Sequence, residues 1–222
     1  MKVMIKMLKN DTFIRLEDGL SFDIKMQYPL LGMKTAVKEC FVRSDVFEML
    51  KCAEKNLPEG YRFRILDTWR PLALQKELYE VYRQNIIDTF NLSCLQKNKQ
   101  DDFISKYIAI PSENPEMPPA HTTGGAVDLT LIDEQGNELD MGTGFDDFSE
   151  KAETDYFEKQ EFDGTDVQKN RRILKKAMED AGFTNLPSEW WHYDYGDENW
   201  AKAKGLKALY KGIFSQNEMK LN

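Results

Sequence analysis

The sequence predicts an α+β fold, a small central antiparallel sheet with helices packed around it. Three observations lead there. Two short segments, Tyr61 to Leu66 and Ala126 to Ile132, have the alternation or the unbroken apolar run of strands. Two longer ones, Leu72 to about Phe90 and Val167 to Ala181, repeat apolar residues at helical spacing. The two kinds alternate irregularly, unlike the regular strand–helix repeat of a parallel sheet.

Taken in order, Val46 to Asn56 reads as a first helix, with Ser44 and Asp45 offering cap chemistry and Pro58 and Gly60 stopping it. Tyr61 to Leu66 alternates aromatic or aliphatic with charged residues, the pattern of a half-buried strand. Pro71 suits the first turn of the helix that follows. Residues 91–120 are polar and rich in turn formers, and read as a long loop, a lid or pocket wall. Asp133 to Asn137 is a turn after the second strand, and residues 146–166 form an acidic, solvated excursion. Gly182 closes the helix that ends at Ala181. An extended segment from Phe183 then leads to Glu189, and a last helix is expected over Trp200 to Ile213.

The 222 residues suffice for one domain spanning 1–222, and no repeat or linker divides them. A net charge of −8 argues against a nucleic-acid partner, whose phosphates need a basic face. No run approaches the roughly 18 apolar residues of a membrane span. Lysines interrupt the apolar residues of the first nineteen positions, so no export segment is expected there. Cys40, Cys52 and Cys94 are odd in number and widely spaced, as in reduced thiols. The expected compartment is the cytoplasm.

The chain has two histidines. His121 stands seven residues before Asp128, and His192 three after Glu189. Two imidazoles and a carboxylate are an accepted three-ligand set for catalytic zinc, one ion per chain, with a fourth position for water. The spacing constrains the geometry: seven apart on one unbroken strand means opposite faces, and Thr122, Thr123, Gly124 and Gly125 form helices poorly. His121 is therefore expected on a loop, Gly124 and Gly125 in a turn or bulge, and Asp128 on the strand. Glu189 would then reach the metal's water without ligating the ion. Spacing alone leaves the metal site and a pair of ordinary core histidines equally open. Arg70 likewise has two readings, a cation for a developing oxyanion and a surface partner of Asp67.

Five stretches decide between these readings: DTWRP (67–71), HTTGGAVDLTL (121–131), MGTGFD (141–146), NRRILKKAMEDAGF (170–183) and SEWWHY (188–193). In this order they resemble the D-alanyl-D-alanine dipeptidases of the VanX type, zinc peptidases related to peptidoglycan D,D-carboxypeptidases and to the hedgehog signalling domain. The resemblance spans roughly residues 60–200 and implies zinc on His121, Asp128 and His192. It implies Glu189 as general acid/base, Arg70 at the tetrahedral intermediate, and Asp146 on the ammonium of a small D,D-dipeptide such as D-Ala-D-Ala. The related alternative is a carboxypeptidase or endopeptidase acting on peptidoglycan peptides. The sequence departs from the family at Pro119, where a serine usually helps hold the substrate carboxylate, and the segment around Tyr28 matches only loosely.

Overall fold

A computed structural model describes residues 11–19 and 21–222; the expectation about an export segment rests largely on residues 1–10, which lie outside them. Among the described residues, seven strands and six α-helices form an α+β fold. The chain opens with β1 (Phe13–Leu16) and β2 (Phe22–Ile24), then one turn of helix, α1 (Gln27–Leu30), and β3 (Cys40–Arg43). β1 and β3 pair antiparallel as a separate two-stranded ribbon. Next come α2 (Ser44–Glu54), β4 (Arg62–Asp67), α3 (Leu72–Thr89), α4 (Lys97–Ile104), β5 (Ala126–Ile132), α5 (Asp166–Asp180), β6 (Thr184–Asn185), β7 (His192–Asp194) and α6 (Glu198–Lys204).

The central sheet runs β2-β4-β5-β7-β6 and is antiparallel except for the parallel edge pair β2–β4. All seven residues of β5 are buried, which explains an apolar run with no solvent-facing positions. Alternate side chains divide its two faces. Val127, Leu129 and Leu131 join a core built with Val46 and Leu50 of α2 and with Leu174 and Met178 of α5. Asp128 points the other way. A second core, Leu74, Leu78 and Ile86 of α3 with Ile104 of α4, flanks that side.

Register sets the functional row. A β-bulge between Ile65 and Asp67 places Asp67 opposite Asp128, and Asp128 is in turn opposite His192. Directly opposed residues have Cβ atoms about 5 Å apart, so three chemistry-bearing side chains stand abreast across β4, β5 and β7.

Four expectations need correction. Residues 91–120 are not one loop, for they contain α4 and a short 3-10 turn at Leu92–Cys94; Ile104 and Ile108 bury themselves against α3 and give the polar stretch its helix. The acidic residues 146–166 are not simply solvated. Ala152 and Phe157 are buried, and Arg171 donates to the carbonyls of Met141, Lys151 and Glu153, fastening the segment to α5. The last helix ends at Lys204, because Gly205 turns left-handed (φ 66°). The rest becomes an extended strap. Ile213 N–H donates to the Thr122 carbonyl, Trp69 Nε1 to that of Ile213 and Leu72 N–H to that of Phe214, so the strap braces both the 119–125 turn and the 68–71 turn. Ser44 and Asp45 also lie inside α2 and do not cap it, Arg43 holding the cap position.

The 119–125 turn has no room to spare. A Cβ on Gly125 would lie 2.5 Å from the Tyr195 carbonyl oxygen, a backbone atom that cannot rotate away. Gly125→Ala is expected to destabilise the protein by about 1–3 kcal/mol and to displace Asp128 with it. Thermal unfolding checks this, and an unchanged midpoint would remove the turn from any part in fixing the site.

Candidate active site

His121 sits on a single 3-10 turn, Ala120–Thr123, that Pro119 opens and Gly124 closes in the left-handed conformation. This is the loop geometry that the sequence demands. Its ring is buried, with Nδ1 2.8 Å from the Thr68 carbonyl oxygen. The His192 ring is buried as well, its Nε2 2.8 Å from Asp194 Oδ1. A carbonyl and a carboxylate accept, so Nδ1 of His121 and Nε2 of His192 must be the protonated nitrogens. The opposite nitrogens then face each other as bare lone pairs, His121 Nε2 to His192 Nδ1 at 3.1 Å. Asp128 completes the triangle, with Oδ1 3.0 Å from His192 Nδ1 and Oδ2 3.3 Å from His121 Nε2.

Three acceptors converging with no donor among them require a cation. A proton meets part of the need. Burial alone would lower the His192 pKa, yet Asp194 and Asp128 hold it well above the ordinary value. Burial would raise Asp128, yet His121 and His192 pull it well below the usual carboxylate range. A divalent ion meets the need fully. Tetrahedral ligands at the ~2.0–2.1 Å of zinc–nitrogen and zinc–oxygen bonds lie roughly 3.3 Å apart, close to the three separations here. His121, Asp128 and His192 can hold a metal, their ligand atoms all lying within 4.8 Å of one another.

Asp194 lies outside the ligand triangle. Burial works against its ionisation, but His192 holds its pKa down. Behind it Asp197 caps α6 by accepting from Trp200 N–H; burial and Asp194 drive this acid well above the usual range, so it stands neutral beside an ionised one. A carboxylate on the far nitrogen of a ligand histidine fixes ring orientation and makes the ligand more basic.

Glu189 reaches the cleft from the turn between β6 and β7. Its N–H donates to the Leu186 carbonyl, and Asn185 Nδ2 donates to the carbonyls of both Glu189 and His192. Trp190 and Trp191 go into the core and leave Glu189 Oε2 3.9 Å from His192 Nδ1, beside the triangle. Burial raises its carboxyl to about 8, against the pull of His192. A group poised near neutrality can both take and return a proton.

The structure corrects the surface reading of Arg70. The residue is paired with Asp67, yet it is buried and lines the cleft. Nε and Nη2 donate to Asp67 Oδ2 at 3.0 and 2.8 Å, and Nη2 donates also to Tyr28 Oη at 3.2 Å. Asp146 lies on the same cleft, in the left-handed region at φ 57°. Tyr82 Oη donates to its Oδ2 at 2.8 Å, and Tyr28 Oη to its Oδ1 at 3.4 Å. Burial lifts its pKa to about 7, opposed by the Tyr82 hydrogen bond.

All six predicted site residues thus face one cleft of about 770 Å³. Sequence reasoning missed several of their partners. The sequence gives Tyr28 no role, and Tyr82 reads only as part of the apolar stripe of the helix that begins at Leu72. Asp67 reads there only as a surface partner for Arg70. Gln75 left a usable trace, a polar residue on the buried face of α3 between Leu72 and Leu78.

Comparison with known proteins gives these residues a context. The family described as D-ala-D-ala dipeptidase matches residues 31–208. The chain is similar to a D-alanyl-D-alanine dipeptidase of Synechocystis sp., 30% identical over 175 residues, 72% of this chain and 71% of the relative. It is similar to one of Enterococcus faecium, 30% identical over 152 residues, 68% and 70% of the two chains. A third, from Escherichia coli, is 42% identical over 74 residues, 33% and 36% of the two chains.

The triangle should bind one divalent ion per chain. Titration with Co²⁺, followed by its visible absorption, is expected to saturate at one equivalent. Asp194→Asn should weaken the affinity by about 10- to 100-fold. Undiminished binding by a protein carrying both His121→Ala and His192→Ala would move the metal elsewhere.

Proposed function

This chain belongs to the D-Ala-D-Ala dipeptidase family, and from that membership we propose that it is a zinc-dependent dipeptidase that hydrolyses D-Ala-D-Ala or a similar D,D-dipeptide. One observation carries the reading: a half-buried carboxylate, Asp146, shares the cleft with the His121–Asp128–His192 triangle, Glu189 and Arg70. When bound there, zinc supplies a water of lowered pKa and a Lewis acid for the scissile carbonyl.

The protein's own groups do the rest. Glu189 takes a proton from the attacking water and returns it to the leaving amine. The Arg70 guanidinium, held in place by Asp67 and Tyr28, offers a fixed positive charge to the oxygen that becomes anionic. Asp146 pairs with the free ammonium of the substrate and measures it from its amino end. A blocked or extended amino end would leave that half-buried carboxylate with its two tyrosine partners but no compensating charge, a penalty that such sites turn into specificity. The free thiols Cys40, Cys52 and Cys94 accord with a reducing cytoplasm, where a free dipeptide would be met.

A carboxypeptidase acting on peptidoglycan peptides is the second reading. Pro119 keeps it open, since a proline has neither the hydroxyl nor the N–H of the serine usual at that position.

The zinc-loaded protein should release D-alanine from D-Ala-D-Ala and not from its N-acetylated form. Cleavage of the acetylated peptide would favour the second reading, and cleavage of neither would refute the first and leave a carboxypeptidase of another substrate or a domain without this activity. Glu189→Ala should cut kcat by about 10²- to 10⁴-fold with zinc still bound. Asp146→Ala should raise KM by about 10- to 100-fold, as expected for losing a hydrogen-bonded ionic contact.

The pH dependence follows from the raised pKa of Asp146. Its carboxylate takes up a proton as pH falls through about 7, so KM for the free dipeptide should rise on the acid side, with bound metal moving the inflection lower. Tyr28, Tyr82, Arg70 and Asp128 are the groups around it. A KM flat from pH 5 to 8 would refute the ammonium contact.

A further inference from the structure

Gln75 lies one turn into α3 and is almost wholly buried, at 1% exposure. A buried amide must satisfy both ends, and this one does so with two short bonds. Its Oε1 accepts from Arg70 Nη1 at 2.7 Å, and its Nε2 donates to the Ala109 carbonyl at 2.7 Å. Ala109 belongs to the 105–109 stretch that forms one wall of the cleft.

A guanidinium has five N–H bonds in a fixed planar fork. In Arg70 the Nε hydrogen goes to Asp67, the two on Nη2 go to Asp67 and Tyr28, and one on Nη1 goes to Gln75. One Nη1 hydrogen remains for a substrate oxygen. Without Gln75, both Nη1 hydrogens would be uncommitted.

We propose that Gln75 is a positioning residue: it leaves a single Arg70 N–H available to the reacting carbonyl and ties that guanidinium to the cleft wall through Ala109. The amide is chemically suited to this. A glutamate would still accept from Arg70 but has no donor for the Ala109 carbonyl, and a leucine of similar bulk would do neither. The kinetic part of the proposal rests on the dipeptidase reading; the locking of Arg70 does not.

The test compares wild type, Gln75→Leu and Gln75→Glu, each loaded with zinc and checked for metal content and thermal unfolding. The probe is a phosphinate analogue of D-Ala-D-Ala, whose tetrahedral oxyanion mimics the transition state. In Gln75→Leu, kcat/KM should fall and the analogue's Ki rise by the same factor, about 10- to 100-fold, with KM within threefold of wild type. Gln75→Glu should recover most of kcat while amide exchange in 105–109 quickens, because only the Ala109 link is lost. If Gln75→Leu does not fold, Gln75→Glu carries the test, and a kcat as low as that of Arg70→Ala would overturn the proposal. Wild-type kinetics in Gln75→Leu would overturn it, and so would equal rises in KM and Ki, which mark a merely structural residue.

A readout without substrate separates the two hypotheses. The two Nη1 hydrogens of Arg70 should give separate resonances in wild type, where Gln75 holds one of them. They should give a single averaged one in Gln75→Leu, where rotation about Cζ–Nη1 is freed while Asp67 and Tyr28 still hold Nε and Nη2. Split resonances in both would sink the lock. A wild type that ignores the phosphinate while keeping that difference would sink the dipeptidase reading alone.

Discussion

The site depends on an imbalance of buried charge that the protein's own side chains do not fully cancel. Asp67, Asp128 and Asp194 are each no more than 2% exposed, and they surround two imidazoles whose outward nitrogens are already committed to Thr68 and Asp194. Removing charged groups from water costs several kcal/mol each unless opposite charge replaces the solvent. Arg70 neutralises Asp67. The triangle of Asp128, His121 and His192 still faces inward with lone pairs, and a dication answers that need better than a shared proton. The chain thus keeps unfavourable electrostatics at one point, and the fold around it must be stiff enough to prevent relaxation.

That stiffness comes from register and bracing. The row of Asp67, Asp128 and His192 is set by strand pairing across β4, β5 and β7, so a slip of one residue would turn Asp128 toward the apolar core. His121 and Arg70 arrive on turns instead. They are joined directly, Arg70 N–H donating to the His121 carbonyl, and the strap at 213–214 holds both turns from behind. The 110–118 stretch is pinned in turn by Gly212 N–H on the Pro115 carbonyl and by the Lys211–Glu116 ion pair. Packing of α2 and α5 on the far face keeps the sheet itself in place.

How much of this is legible in the sequence depends on how local each cause is. β4, β5, α3 and α5 could be read within a residue or two, because their patterns are long or sharply bounded. The ribbon β1–β3 could not, since strands of four residues carry almost no periodicity and depend on distant partners. The helix expected to reach Ile213 ends at Lys204 because Gly205 turns left-handed, and the apolar residues beyond it serve an extended strap instead. In the site, motif residues were legible by type and spacing. Their supports were less so: Tyr82 owes its importance to an atom that the fold alone brings close, 64 residues away in the chain, while Gln75 shows only as a polar residue on the buried face of its helix and Asp194 only by its place two residues after His192.

The same electrostatics bear on substrate choice. Asp146 is half-buried, and its carboxyl is lifted to about 7 even though two tyrosines face it. Phenol hydroxyls orient a carboxylate but do not supply a compensating charge. A substrate ammonium does, and gains most where water has already been removed. At the opposite requirement, the substrate carboxylate, the family's serine position offers Pro119, whose carbonyl is already taken by the N–H and hydroxyl of Thr122. On the proposed dipeptidase reading, discrimination therefore leans on the amino end of the peptide. A ligand without that charge forfeits the interaction for which this half-buried carboxylate is prepared.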